Sequence, residues 1–285
     1  MGAEAALACS VRGCGAPLAR AEGRYACPRG HAFDLARSGY LSLLQPQDRR
    51  STAAGDARAE VAARARLHAA GLGRSLDAEL ARLVAGLGLG PGAVVVDLGA
   101  GSGERLAGLC ATQGLAGLGL DLSVAAMELA ARAFPQHTWV VANADRRLPL
   151  RDASVALVLT LHGRRNPREC RRVLAPGGHL LAALPAADDL IELRARVQGQ
   201  GLERERTAGF LAEHGEDFTL AARATAREQP RCSRSQLDDL LAGTYRGARR
   251  SMATAVQGLA ELSVTLASEL LLLAPRAHPA PGGAR

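Results

Sequence analysis

Lysine is missing from this 285-residue chain, and all 35 basic side chains are arginine. The gap matches a coding bias toward G and C that also enriches Ala and Gly, and by itself it carries no functional message. Aromatic residues make up only 3%, so ring platforms for stacking nucleobases are scarce. No apolar run reaches the roughly 18 residues of a membrane-spanning helix. Met1 to Ser10 lack the basic-then-apolar order of a signal peptide, so the expected compartment is the cytoplasm and no membrane partner is expected. Internal repeats are absent as well. What is present is globular: 48% apolar residues, in a length that suits one medium domain with a small appendage. The net charge of +7 is carried on planar guanidinium forks. It suits an anionic partner without requiring one.

Cysteine usage is uneven. Cys9, Cys14 and Cys27 crowd the first tenth of the chain, while Cys110, Cys170 and Cys232 are scattered. Cys9-x4-Cys14, twelve intervening residues, then Cys27-x3-His31 is close to the spacing of tetrahedral sites with three cysteines and one histidine. Two short ligand pairs on two turns can be joined by one ion, whose binding energy folds a segment too small to fold alone. Pro28 and Gly30 suit such a knuckle. Four protein ligands leave no position for water, so this Zn2+ is expected to be structural. The alternative is four unconnected residues in a surface turn.

The texture of the chain divides it into four parts. Residues 1–45 form the zinc-binding module. Residues 46–90 form a linker, containing Arg49-Arg50, and one or two helices between Arg58 and Leu87. Residues 91–275 form the main domain, and 276–285 a Pro-, Gly- and Ala-rich tail expected to be disordered. Within the main domain Ala93–Val96 is a β-branched run, followed by a helix to about Gln113. Ala116–Asp121, Thr138–Ala142, Val155–Leu161 and His179–Leu184 are further strand candidates, and Ser123 suits the cap of a helix over Val124–Phe134. Phe218–Arg227 and Leu259–Leu273 supply the last two strands, with a helix near Ser235–Leu241 between them. This alternation predicts an α/β fold, a doubly wound Rossmann-like sheet with helices on both faces.

The first strand ends in Asp97-Leu98-Gly99-Ala100-Gly101-Ser102-Gly103, a glycine loop that opens a helix. Backbone can approach a nucleotide closely there, with amide groups and the helix N-terminus facing it. Asp121 ends the next strand, where a carboxylate can accept hydrogen bonds from both ribose hydroxyls. The D-x-G-x-G-x-G wording resembles the first motif of class I methyltransferases, whereas dinucleotide enzymes usually read G-x-G-x-x-G. Leu148-Pro149-Leu150 and Arg172-Val173-Leu174-Ala175-Pro176-Gly177-Gly178 match the same superfamily. The resemblance implies an S-adenosyl-L-methionine site. Asp97 would support the loop and the methionine amine, with Gly99, Gly101 and Gly103 in the loop and Asn143 at the adenine end. A plain tight turn is the other reading of the glycines.

A narrower resemblance covers nearly the whole chain. Cys27–Asp34 (Cys-Pro-Arg-Gly-His-Ala-Phe-Asp), Ser38–Leu44 (Ser-Gly-Tyr-Leu-Ser-Leu-Leu), Gly55-Asp56, Asn166-Pro167 and Leu262–Leu266 resemble the bacterial 23S ribosomal RNA guanine-N1 methyltransferases, which include macrolide-resistance enzymes. That resemblance implies methylation at N1 of a guanine in a large-subunit hairpin loop. It implies zinc on Cys9, Cys14, Cys27 and His31, a zinc module that helps grip the RNA, and Glu104, Arg105 and Leu106 beside the methionine part of the cofactor. The chain departs from the pattern at Gly71-Leu72-Gly73 (family Gly-His-Tyr), Leu161-His162-Gly163 (family aromatic-Ala-Pro) and Asp189 (family His).

Methyl transfer needs in-line approach of a nucleophile, so most of the work is positioning. Guanine N1 carries a proton that some group must accept, and His162 is the nearest candidate by position; it equally suits a pocket wall. Tyr25, Phe33 and Tyr40 are the stacking candidates, and Arg49, Arg50, Arg164 and Arg165 the phosphate contacts, with core packing and a solvated face as the alternatives. Two other functions fit the same features: a small-molecule methyltransferase retaining an ancestral zinc knuckle, and a non-catalytic RNA-binding relative. A basic surface joining the zinc module to the cofactor cleft would favour the RNA enzyme. The partners expected are large-subunit ribosomal RNA and, left open by the sequence, a second copy of the chain as a homodimer.

Overall fold

The computed structural model describes residues 2–46, 55–199, 201, 203–244 and 258–277. After a short 3-10 turn over Ala3–Ala6, strands β1 (Ala19–Ala21), β2 (Arg24–Ala26) and β3 (Ala32–Asp34) form an antiparallel three-stranded sheet. Strand β4 (Leu41–Ser42) leaves this module and pairs in parallel with the main sheet. Helices α1 (Arg58–Ala69) and α2 (Arg74–Ala85) follow, then β5 (Val94–Leu98), α3 (Glu104–Gln113), β6 (Ala116–Asp121), α4 (Val124–Ala133) and β7 (Thr138–Val141). Next come β8 (Val155–Leu161), α5 (Pro167–Val173), β9 (Leu174–Pro185), α6 (Ile191–Gln198) and α7 (Thr207–His214). The chain closes with β10 (Phe218–Glu228), β11 (Arg231–Ser233), α8 (Arg234–Thr244), β12 (Glu261–Ser263) and β13 (Leu266–Pro275).

Local chemistry accounts for these boundaries. Helix α2 buries Leu76, Leu80, Leu83 and Val84, an apolar stripe at three- and four-residue spacing. Ser123 caps α4, its Oγ accepting from Ala126 N at 3.2 Å, and Asn166 caps α5 ahead of Pro167. Val95, Val96, Leu98, Leu157, Val158 and Leu159 are completely buried, as strands covered on both faces must be.

The eight-stranded sheet runs β10-β13-β9-β8-β5-β6-β7-β4. Strands β9 through β4 are parallel, and β13 runs antiparallel to both β9 and β10. The doubly wound class is therefore correct, with a mixed sheet in place of an all-parallel one. Strand order reverses between β5 and β8, and the carboxyl ends of the strands open a crevice there. Two strand expectations change. Leu259–Leu273 divides at Val264-Thr265, because Glu261–Ser263 turns away to pair with β11 and the Thr265 N–H is held by Glu192 at 2.8 Å. Strand β9 begins at Leu174, five residues before His179, since Leu174 already pairs with Val155.

The zinc module and the main domain share a core. Leu7, Cys9, Leu18, Tyr25 and Cys27 pack in one apolar cluster with Leu41, Val96, Leu98, Leu148 and Leu150. Arg276, first residue of the expected tail, is anchored: its N–H donates to Asp217 O at 2.8 Å and its Nε to Gly215 O at 2.7 Å. Residues 278–285 lie outside the described residues, as do Arg49 and Arg50. No helix among the described residues is long and apolar enough to cross a membrane.

Candidate functional site

The glycine loop leaves the carboxyl end of β5 at the crevice and is tied to β6, with Gly99 N and Ala100 N both donating to Leu120 O at 2.8 and 3.0 Å. Gly99, Gly101 and Gly103 have φ of +85°, +56° and +89°. At Gly103 the need for glycine is also steric, since a Cβ there would stand 2.4 Å from the Trp139 ring packed beneath the loop. At Gly101 nothing lies within 4 Å of that position, so the outer side of the loop is open. Asp97 is only 2% exposed, and its Oδ1 has no hydrogen-bond partner. Burial, then repulsion from Asp121, raises its pKa to about 7 against the pull of Arg105.

Asp121 accepts from Gly101 N at 3.0 Å through one oxygen and from Ser123 N at 2.8 Å through the other. Burial still pushes its pKa up despite these two bonds. A carboxylate has about four acceptor positions, so the bonds orient Asp121 and leave capacity on both oxygens. Gly55 and Asp56 close this side. A Cβ on Gly55 would meet Ser123 N at 2.5 Å, and the Asp56 carbonyl accepts from Ser123 Oγ at 2.6 Å. Asn143 Oδ1 accepts from Asp145 N at 3.0 Å, and the residue is 8% exposed.

Helix α3 points its N-terminus at the loop. The backbone N–H groups of Glu104, Arg105 and Leu106 fall in the first turn, where no intrahelical acceptor exists. Glu104 accepts from Ser102 Oγ at 2.7 Å. Leu106 has its side chain fully buried in the core, so only its backbone is available to a ligand. Sequence reasoning missed the support behind Arg105: its Nε donates to Asp77 Oδ1 at 2.9 Å, and Asp77 Oδ2 lies 3.1 Å from His68 Nε2. No motif spacing flags a contact among α1, α2 and α3.

The other wall is the end of β8. His162 has φ +58°, and its Nε2 lies 2.9 Å from Ser268 Oγ on β13. The next residue must be glycine, because a Cβ on Gly163 would stand 2.6 Å from Leu98 O. His162 is exposed as a residue, and the protein packed around its imidazole, with Arg105 and Arg206, lowers its pKa to about 4. Asp189 stands beyond β9, one oxygen held by Ala267 N at 2.9 Å, and burial raises its pKa to about 6. Arg165 stacks over the Phe210 ring at 4.3 Å and donates to His214 Nε2 at 3.3 Å. Arg164 is exposed and pairs with Asp145 at 3.1 Å.

The Cys9, Cys14, Cys27 and His31 ligand atoms all lie within 4.8 Å of one another. Cys14 Sγ is 3.8 Å from Cys27 Sγ, and His31 Nδ1 is 3.4 and 3.5 Å from the sulfurs of Cys9 and Cys27. Zn–S of about 2.3 Å and Zn–N of about 2.0 Å give tetrahedral edges of about 3.8 and about 3.5 Å. The four side chains therefore fit a zinc ion, and the longer first spacing is absorbed by a turn closed by Cys14 N to Val11 O at 2.9 Å.

Of the stacking candidates, Tyr25 is excluded, being 3% exposed with its hydroxyl donating to Glu4 at 2.7 Å. Phe33 and Tyr40 are half-buried against the two main apolar clusters. A cavity of about 500 Å³ lies at the opposite, N-terminal ends of β6 and β7, lined by Arg20, Arg37 and His137 among others. None of the residues around the glycine loop borders it. The loop site itself is a carboxylate without a partner, an open backbone turn, a helix N-terminus and a second oriented carboxylate. That set suits a nucleoside with an ammonium-bearing tail.

Comparison with known proteins agrees with this geometry. Residues 8–52 match the zinc-ribbon model described as RlmA, N-terminal, and residues 95–178 match a methyltransferase domain model. The 23S rRNA (guanine(748)-N(1))-methyltransferase of Streptomyces fradiae is 42% identical over 206 residues, covering 70% of this chain and 71% of that protein. A putative 23S rRNA (guanine-N(1)-)-methyltransferase of Micromonospora griseorubida is 38% identical over 255 residues, covering 81% and 83%. Among solved structures, a putative methyltransferase complexed with the Trm112 activator of Haloferax volcanii superposes with TM-score 0.50 at 22% identity, covering 78% of this chain and 99% of that one. That likeness concerns the fold alone.

Proposed function

The chain belongs to the 23S rRNA (guanine-N1)-methyltransferase family and is an S-adenosylmethionine-dependent methyltransferase; on that premise we propose that it methylates N1 of a guanine in a hairpin loop of large-subunit ribosomal RNA. The observation that carries the RNA part is a run of exposed arginines from the zinc module to the cofactor crevice. Arg12 and Arg29 are exposed on the zinc knuckles, and Arg147 reaches within 3.5 Å of the point where Gly15 would carry a Cβ. Arg146 and Arg164 continue the run past Asn143 and Asp145. Such a surface contacts phosphates and sets register.

In this reading Asp97 receives the ammonium group of the cofactor, Asp121 the ribose hydroxyls and Asn143 the adenine end. Gly99, Gly101 and Gly103 give the backbone room, and the N–H groups of Glu104, Arg105 and Leu106 face the methionine part. The cofactor supplies an electrophilic methyl group. The target guanine must be unstacked, or already in a loop, to reach the wall formed by His162. The N1 lone pair is conjugated with the ring carbonyl while N1 is protonated, so the proton must leave as the N1–methyl bond forms. His162, neutral above about pH 4, accepts that proton. Zinc on Cys9, Cys14, Cys27 and His31 is structural: it fixes the two knuckles that present Arg12 and Arg29.

Labelled methyl transfer to protein-free ribosomal RNA tests the reading. Label is expected in large-subunit RNA and not in small-subunit RNA. Transfer to a small-molecule acceptor with no labelled RNA would replace it with a small-molecule methyltransferase.

A further inference from the structure

The Arg105 guanidinium is held from several elements at once. Its Nε donates to Asp77 Oδ1 on α2 at 2.9 Å, and Asp77 Oδ2 lies 3.1 Å from His68 Nε2 on α1. Nη2 packs so tightly on the turn before α2 that a Cβ on Gly73 would stand 2.5 Å away. That turn is itself fixed, since Gly73 N and Ser75 N donate to the Glu228 carboxylate of β10 at 2.5 and 2.9 Å. Only Nε is used in these bonds. Among the described residues the two terminal nitrogens have no hydrogen-bond acceptor.

Arg105 stands in the first turn of α3, directly after the glycine loop that begins at Asp97. Its charge acts on both Asp97 and His162, yet no ion pair joins Arg105 to Asp97 within 4 Å. A buried carboxylate oxygen and a guanidinium edge, both without a hydrogen-bond partner, therefore stand at the two ends of one glycine loop. An α-amino acid zwitterion carries the matching pair, ammonium for Asp97 and carboxylate for Arg105.

We propose that Asp77, backed by His68 and the Gly73 turn, is a positioning residue that aims Arg105 at the α-carboxylate of the cofactor's methionine end. The inference rests on the S-adenosylmethionine reading of the crevice. A long arginine side chain loses considerable rotamer freedom when it binds. Asp77 fixes the fork beforehand, so less freedom is lost on binding. The plain alternative is that the pair merely ties α2 to α3.

Two ligands separate these readings. S-adenosylhomocysteine has the amino-acid tail, and 5′-methylthioadenosine lacks it while keeping the nucleoside. Their dissociation constants are measured by titration calorimetry for the wild-type protein, Arg105→Gln, Asp77→Ala, the double variant and Asp77→Asn. Removing a charge-assisted bond predicts a loss of about thirtyfold in S-adenosylhomocysteine affinity for Arg105→Gln and about tenfold for Asp77→Ala. The double variant is expected to bind no worse than Arg105→Gln, because Asp77 acts through Arg105. Methylthioadenosine affinity should stay within about twofold throughout. Asp77→Asn keeps an acceptor for Nε and should lose only about threefold; it carries the test if Asp77→Ala does not fold. Equal losses for both ligands, or wild-type affinity in Asp77→Ala, would overturn the proposal. Wild-type protein that binds neither ligand would overturn the cofactor assignment itself.

Discussion

With Asp97 as the ammonium's partner, cofactor binding is expected to release a proton. Burial and the neighbouring Asp121 hold its pKa at about 7 in the free protein, so at pH 6 it is about 0.9 protonated. An ammonium placed against the unpartnered Oδ1 favours the ionised form and should bring the pKa below about 5. The ligand's own α-amino group, in a free amino acid, is protonated at pH 6. Binding S-adenosylhomocysteine at pH 6 should therefore release about 0.9 proton. At pH 8 Asp97 is already about 0.9 ionised, and binding should release no more than about 0.1 proton. Affinity should fall about fiftyfold from pH 7 to pH 5 as Asp97 becomes protonated. Calorimetry at each pH in buffers of different ionisation enthalpy reads the proton count directly. Asp97→Asn should abolish the release at pH 6. Zero release in the wild type, or release that survives in Asp97→Asn, refutes the reasoning and in the second case transfers the titration to Asp121.

Three further outcomes follow from the same geometry. Stripping zinc with a strong chelator should lower the melting temperature by on the order of 10 °C, because the module shares its core with the main sheet; an unchanged melting curve after verified metal removal would contradict a structural role. Gly103→Ala places a methyl at φ +89° and 2.4 Å from the Trp139 ring, and should cost about 3 kcal/mol in urea unfolding together with cofactor affinity. At saturating cofactor, kcat should stay level from pH 8 to about pH 5 because His162 protonates only near 4, and His162→Asn should lower kcat about a hundredfold with S-adenosylhomocysteine binding unchanged. An acid limb near pH 6 that survives in His162→Asn would assign the proton to Asp189.

The parts of the molecule legible in sequence were those governed by local rules. The glycine loop, Asp121 at a strand end and the Ser123 cap follow from backbone geometry within a few residues, and α3 and β8 fall where periodicity places them. The four residues that fit a zinc ion are legible because one ion would impose their spacing. What stayed hidden depends on contacts distant in sequence. Trp139 beneath Gly103 and the antiparallel insertion of β13 are of that kind. So is the His68–Asp77–Arg105 chain, which joins three helices with no repeat or motif between them. Tyr25 takes the second of its two readings, its ring filling the shared core.

Nucleoside analysis of the methylated RNA tests the central claim most directly. Large-subunit ribosomal RNA treated with enzyme and labelled cofactor is digested to nucleosides, and the label is identified by chromatography and mass. The account predicts label in N1-methylguanosine alone, matched by a reverse-transcription stop at one guanine in a hairpin loop. Label in another nucleoside, or none in RNA while cofactor binding is intact, would contradict it.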